Sequence, residues 1–127
     1  MATSGMVPRR ILVVDDDPMV ADSIRRMLVF DGHEVELAGS AEEAVAIFGK
    51  GTFDLTLVDY EMPKTKGDQL AIALKAMAPS RPVVMFTGYA EVVGSGDKPL
   101  QGVDFVLGKP FDLEELRRTL ARFLPAS

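Results

Sequence analysis

Residues 11–18 read Ile11-Leu12-Val13-Val14-Asp15-Asp16-Asp17-Pro18, and the change of character inside that stretch decides the fold. Four apolar residues, rich in β-branched side chains and without a polar break, read as a strand buried on both faces. The three aspartates end it abruptly. Asp17 can cap a helix whose first turn accepts Pro18, and Val20, Ile24, Met27 and Leu28 then recur at helical spacing until Asp31-Gly32. A strand with no wet face that runs directly into a helix belongs in a parallel sheet covered on both sides.

The alternation continues outward along the chain. Residues 33–38 set Val35 and Leu37 against Glu34 and Glu36, the pattern of a strand with one solvated face, suited to a sheet edge. Ser40 and Glu43 form a capping box for a helix that buries Ala44, Ile47 and Phe48 and stops at Gly49 and Gly51. A third strand, residues 54–58, leads to Asp59. A third helix runs over residues 68–77 with Leu70, Leu74 and Met77 on one face, until Pro79 stops it. Strand four is expected at residues 82–86 and strand five at residues 103–107. A last helix opens with Asp112 as its cap and carries Leu113, Leu116, Leu120 and Phe123 at spacings of three and four. Between strands four and five, residues 91–102 hold Gly94, Gly96, Pro99 and Gly102, a poor composition for a helix interior. At most a short, mobile, irregular fourth helix is expected there. Five strands alternating with helices make a doubly wound α/β fold, most simply in the flavodoxin-like order 2-1-3-4-5. The ligand crevice of that topology lies beyond the carboxyl ends of strands one and three.

Composition narrows the function. The chain has 127 residues, a size that suits one domain. Its net charge of −5 argues against nucleic acid as a direct partner. Without cysteine there is no disulfide framework, thiolate metal site or thiol nucleophile, and a reducing, cytoplasmic setting is the expectation. The apolar runs fall far short of the ~18 residues of a membrane span. The aspartates at 15–17 cut off any signal-peptide apolar region behind Arg9 and Arg10.

The residues at the carboxyl ends of the strands are Asp15, Asp16 and Asp17 for the first, Asp59 for the third, Thr87 for the fourth and Lys109 for the fifth. Adjacent strands lie ~4.8 Å apart, so the first-strand carboxylates and Asp59 project into one small volume. Like charges that close raise one another's pKa unless a cation neutralises them. An oxygen-only cluster without His or Cys suits Mg²⁺. Lys109 starts two strands from Asp59, about 10 Å in backbone terms, and its long stem can return an ammonium to the site. A carboxylate, a divalent metal, a lysine and a hydroxyl around one point are what a transferring phosphoryl group requires, with Asp59 as nucleophile.

These residues resemble the response-regulator receiver domain, or CheY-like, family. The likeness rests on Ile11-Leu12-Val13-Val14-Asp15-Asp16-Asp17-Pro18, Leu57-Val58-Asp59-Tyr60-Glu61-Met62-Pro63, Thr87-Gly88-Tyr89 and Lys109-Pro110-Phe111. It covers residues 9–124, leaving residues 1–8 as an expected flexible leader and 125–127 as a tail. The resemblance implies a two-component switch in which a histidine kinase or phosphotransfer protein donates a phosphoryl group to Asp59. It also implies that Asp16 and Asp59 bind Mg²⁺ directly, Asp15 through water, and Glu61 through its backbone carbonyl. Thr87 and Lys109 would hold phosphoryl oxygens, and Lys109-Pro110 would be cis. The family's switch often pairs the threonine with an aromatic residue three positions before the lysine. Here that position is Val106, and Phe105 faces the other way by strand alternation, so signalling is expected to act through residues 91–102.

The remaining features have plainer readings. Asp17 is a helix cap. His33, after Gly32, is expected to be exposed. Met19, Met27, Met62, Met77 and Met85 are expected to pack. Lys64 and Lys66 put positive charge beside the site, and Tyr89 either shields it or covers a loop. The alternatives are an interaction module of the same fold that takes no phosphate, and a Mg²⁺-dependent aspartyl-phosphate phosphatase with Glu61 as its acid. A flavin-phosphate site does not suit the acidic loop after strand one.

Overall fold

A computed structural model describes residues 9–88, 96–97 and 100–124. Its elements are β1 (Arg10–Val14), α1 (Pro18–Phe30), β2 (Glu34–Ala38), α2 (Ala41–Lys50), β3 (Leu55–Asp59), α3 (Gly67–Met77), β4 (Val83–Thr87), β5 (Gly96–Asp97), β6 (Phe105–Gly108) and, as the last helix, α4 (Leu113–Phe123). The sheet order is β2-β1-β3-β4-β6-β5. Five of these strands are parallel and reproduce the expected order 2-1-3-4-5, the fifth being β6. The two-residue β5 adds an antiparallel edge, Gly96 opposite Val106 and Asp97 opposite Phe105. Most of the segment expected to hold an irregular fourth helix lies outside the described residues.

The apolar strands divide their side chains between two layers. Leu12, Val14, Val58, Met85 and Val106 pack with Ala44 and Phe48 of α2 and with Leu70, Ala71 and Leu74 of α3. Ile11, Val13, Leu55, Leu57, Val84, Phe86 and Leu107 pack with Ile24 and Leu28 of α1 and with Leu116 and Leu120 of α4. Alternation along each strand produces both layers, so neither face can be given up. β2 is the solvated edge, as its glutamates require.

The caps hold with one adjustment. Asp17 Oδ1 accepts from Met19 N–H at 3.0 Å, and Asp112 with Glu115 makes a complete capping box. Ser40 Oγ accepts from Glu43 N–H, but the Glu43 carboxylate accepts from Gly39 N–H, one residue before the cap. Gly49 does not stop α2, which continues to Lys50. α1 closes on Asp31 and on Gly32, whose φ of 91° needs glycine.

Two expectations fail. Met19 is 82% exposed and Met77 46% exposed. The buried stripe of α1 is Ala21, Ile24 and Leu28, and Met19 lies off it in the first turn. His33 is 3% exposed. After Gly32 the chain folds back so that His33 N–H donates to Leu28 O, and His33 Nδ1 accepts from Arg9 N–H at 3.0 Å. The ring thus ties the start of β1 to the start of β2. Beside it lies a contact that sequence spacing does not reveal: Arg117 of α4 grips Asp31 through Nε and a terminal nitrogen, both at 2.7 Å. The pair fastens the last helix to the end of α1.

This end of the sheet can be tested by stability measurements. Arg117→Met deprives the buried Asp31 carboxylate of its guanidinium and should lower the thermal midpoint by about 5 °C or more. Arg26→Met, which removes an exposed pair with Asp22, should change it by no more than about 2 °C in the same calorimeter. Burial holds the His33 pKa below its ordinary value, with Arg9 acting the same way and Asp31 and Asp54 opposing. The unfolded chain therefore takes up this proton first, and stability falls as pH drops below about 6.5. Urea unfolding between pH 7.5 and 5 should show a smaller loss in His33→Gln than in the wild type.

Candidate functional site

β1, β3, β4 and β6 all end at the same edge of the sheet, and each delivers a polar residue there. Asp15 comes after β1 and is 2% exposed, Asp59 ends β3 at 3%, and Thr87 ends β4 at 0%. The strand ladders continue one residue beyond the strands themselves. Asp15 N–H donates to Ala38 O, Tyr60 N–H to Phe86 O, and Lys109 N–H to Thr87 O. These bonds fix the backbone beneath every side chain of the site. Lys109-Pro110 is cis, as the resemblance implies.

One carboxylate oxygen each from Asp15, Asp16 and Asp59 lies within 4.8 Å of the others. Asp15 Oδ1 accepts from Asp17 N–H at 2.9 Å, whereas its Oδ2 is buried without a hydrogen-bond partner. The Asp15 pKa is pushed up to about 7, first by burial and then by the neighbouring Asp59 carboxylate, against the Asp17 amide and the Lys109 ammonium. Such a carboxyl group is poised for a cation: ionised it needs positive charge, and one of its oxygens is buried without a partner.

Lys109 makes the return journey that its stem allows. Its Nζ lies 3.2 Å from Asp59 Oδ1 and 4.0 Å from Glu61 Oε1, above the ring of Phe86 at 5.2 Å from the centroid. Asp59 Oδ1 also accepts from Glu61 N–H at 3.2 Å. Lys66 lies over Tyr60, its Nζ 5.9 Å from that ring centroid. Tyr89 lies outside the described residues.

Val106 is buried in the layer shared with α2 and α3. Phe105 lies on the opposite face against Phe123, ring centroids 6.2 Å apart. Strand alternation therefore does prevent Phe105 from standing in for an aromatic residue at position 106.

Gly67 is a part of the site that sequence reasoning misses. A Cβ there would come within 2.5 Å of Asp59 O and 2.9 Å of Tyr60 Cα, so the first turn of α3 can approach Asp59 only with glycine. The one signal in the sequence is a helix beginning Lys66-Gly67, where no side chain caps the first turn. The side chain of Glu61 is missed as well: its Oε1 accepts from Gly88 N–H at 3.1 Å.

Comparison with known proteins agrees with this fold. The family profile described as response regulator receiver domain matches residues 11–121. Response regulator MprA of Mycolicibacterium vanbaalenii is 37% identical over 110 residues, 87% of this chain and 48% of MprA. Its counterpart in Mycobacterium leprae is 36% identical over 107 residues, 84% of this chain and 47% of that protein. The chain spans about half the length of these curated relatives. Among solved structures, a receiver domain protein (CheY-like) from Methanospirillum hungatei superposes with a TM-score of 0.82 at 31% identity, covering 93% of this chain and 94% of the other. Response regulator TrrA of Thermotoga maritima, solved in complex with Mg²⁺-BeF, gives 0.82 at 29% identity over 91% of this chain and 99% of the other. TrrA in complex with the histidine kinase ThkA gives 0.81 at 29% identity over 91% and 98%. By the length of the family match and by fold, this chain belongs to the response regulator receiver domains.

Proposed function

We propose that the chain is a phosphoryl acceptor of a two-component system, taking the group from a histidine kinase or phosphotransfer protein onto Asp59. The observation that carries this reading is the 3.2 Å approach of Lys109 Nζ to Asp59 Oδ1 beside the Asp15-Asp16-Asp59 oxygens. In the transfer, an Asp59 carboxylate oxygen attacks phosphorus as the P–N bond to the donor imidazole breaks. The bonding pair stays on the imidazole nitrogen, which picks up a proton from solvent. Lys109, already 3.2 Å from Asp59 Oδ1, pairs with one phosphoryl oxygen, and the Thr87 hydroxyl donates to another as it moves toward the group.

Mg²⁺ fits the donor set, because the three carboxylates are hard oxygen ligands and Asp15 Oδ2 has no other partner. Asp16 and Asp59 would hold it directly, Asp15 through water and Glu61 through its carbonyl. Bound there, it neutralises the phosphoryl oxygens. A cleft of about 260 Å³ lined by Met19, Val20, Met27, Lys109 and Phe111 opens beside the lysine, and this reading assigns it to the donor. By strand alternation Thr87 and Val106 lie on the same face.

Intact mass after incubation with Mg²⁺ and acetyl phosphate should show one phosphoryl adduct. It should vanish in Asp59→Asn and form about a hundredfold more slowly in Lys109→Ala. An adduct that persists in Asp59→Asn would remove Asp59 from its role. Calorimetric titration with Mg²⁺ tests the cluster: Asp16→Asn should weaken binding by at least the ~10-fold that outer-sphere partners alone contribute, and unchanged affinity would place the metal elsewhere.

A further inference from the structure

The β3–α3 loop carries a second carboxylate into the site. Glu61 reaches from two residues beyond Asp59 to the end of β4, where its Oε1 accepts the backbone N–H of Gly88 at 3.1 Å. The same oxygen lies 4.0 Å from Lys109 Nζ, and Glu61 Oε2 is buried with no hydrogen-bond partner. An ammonium and a backbone N–H at the end of a strand are the donors of an oxyanion seat, and here a carboxylate of the chain itself already lies against both. Nothing in the packing of the fold requires it. The side chain is 28% exposed, it caps no helix, and its second oxygen gains nothing from burial.

We propose that the Glu61 carboxylate is an internal competitor for the phosphoryl seat, holding Gly88 N–H and sharing Lys109 until an incoming oxyanion displaces it. The inference rests on the phosphoacceptor reading of Asp59 and assigns that site a gate. Lys109 lies 3.2 Å from Asp59 Oδ1, so oxygens of a group bonded to Asp59 come within its reach. They meet a negative charge already there. Entry of the oxyanion then requires Glu61 to swing toward solvent, giving up Gly88 N–H. The ligand class that can displace it is a compact tetrahedral oxyanion delivered to Asp59. An uncharged ester has no charge with which to compete for either donor.

Two substitutions separate the charge from the hydrogen bond. Glu61→Gln keeps an acceptor for Gly88 N–H and removes the charge, whereas Glu61→Ala removes both. Beryllofluoride with Mg²⁺ is the probe, titrated against the wild type and both variants, with rates of adduct formation from acetyl phosphate measured alongside. The affinity for beryllofluoride should rise roughly two- to fivefold in Glu61→Gln, the range for a partly solvated charge pair, and further in Glu61→Ala. Adduct formation should quicken in the same order. The gap between wild type and Glu61→Gln should narrow as salt is raised, which a purely structural effect of the side chain would not do. Equal or weaker beryllofluoride binding in both variants, with adduct still formed, overturns the gate and leaves Asp59 as acceptor. No binding and no adduct in any of the three chains overturns the acceptor reading and the gate together.

Discussion

Asp59 sits almost out of water with Lys109 Nζ 3.2 Å from its Oδ1, and that contact sets what the surrounding elements must do. An ionised carboxylate removed from water costs several kcal/mol unless a charge partner and hydrogen bonds replace the solvent. Lys109 is the charge partner and Glu61 N–H the hydrogen bond. For the ammonium to arrive, β6 must end level with β4, which the Lys109 N–H to Thr87 O bond secures. For the Asp59 backbone to stay where it is, α3 must begin at Gly67. Asp15 then sets a second carboxyl group beside Asp59, where burial and that neighbour oppose its ionisation. Between about pH 4 and pH 7 the folded chain keeps the Asp15 proton while an unfolded chain, titrating near 3.9, gives it up. Folding therefore becomes less favourable as pH rises through that window. The cluster is a cost carried by the rest of the fold.

The interactions that offset that cost lie away from the crevice. Both faces of the sheet are apolar and closed, with Phe86, Leu57 and Met85 wholly buried, and a fully buried side chain of this kind contributes about 1.5–3 kcal/mol. At the other end of the strands polar groups find partners on distant segments, although His33 Nε2 is buried without a hydrogen-bond partner. Arg117 holds both oxygens of Asp31, and His33 Nδ1 accepts the Arg9 amide. The two ends respond to pH in opposite senses. The carboxyl end loses stability as Asp15 ionises on raising pH. The amino end loses it as His33 is driven to protonate on lowering pH.

The sequence carried the architecture because the strands are closed on both faces. An unbroken run such as residues 11–14 has few other places to go, and Ser40, Asp112 and Pro18 mark helix starts by chemistry that acts within a turn. The site was legible for the same reason: once strand order is known, the residue after each strand is at the crevice. Failures came where the deciding partner is distant in sequence. His33 looked like a turn residue because the Arg9 amide that it accepts is 24 positions away. The Asp31 pair with Arg117 spans 86 positions. Met19 falls off the buried stripe of α1, whereas Met77 shares the face of Leu70 and Leu74 but is the last residue of α3, where the cover thins. Gly67 carries no side chain to signal its role, and only the distance to Asp59 O reveals it.

The position of Val106 bears on how a charge change at Asp59 could travel. It pairs in register with Met85 of β4 and lies in the layer shared with α2 and α3. An aromatic ring at a strand end can swap between buried and exposed positions as a unit. A valine locked among close-packed neighbours has no comparable alternative position. Any response that starts at Thr87 must therefore move backbone, and the backbone free to do so is not β4, which is hydrogen-bonded to β3 and β6 on its two sides. Gly88 is where β4 pairing ends, and Gly88 N–H is the group that Glu61 holds. On the proposed gate, release of that amide and arrival of charge at Asp59 would be two sides of one event, and the first step of a response would lie at Gly88 rather than in β6.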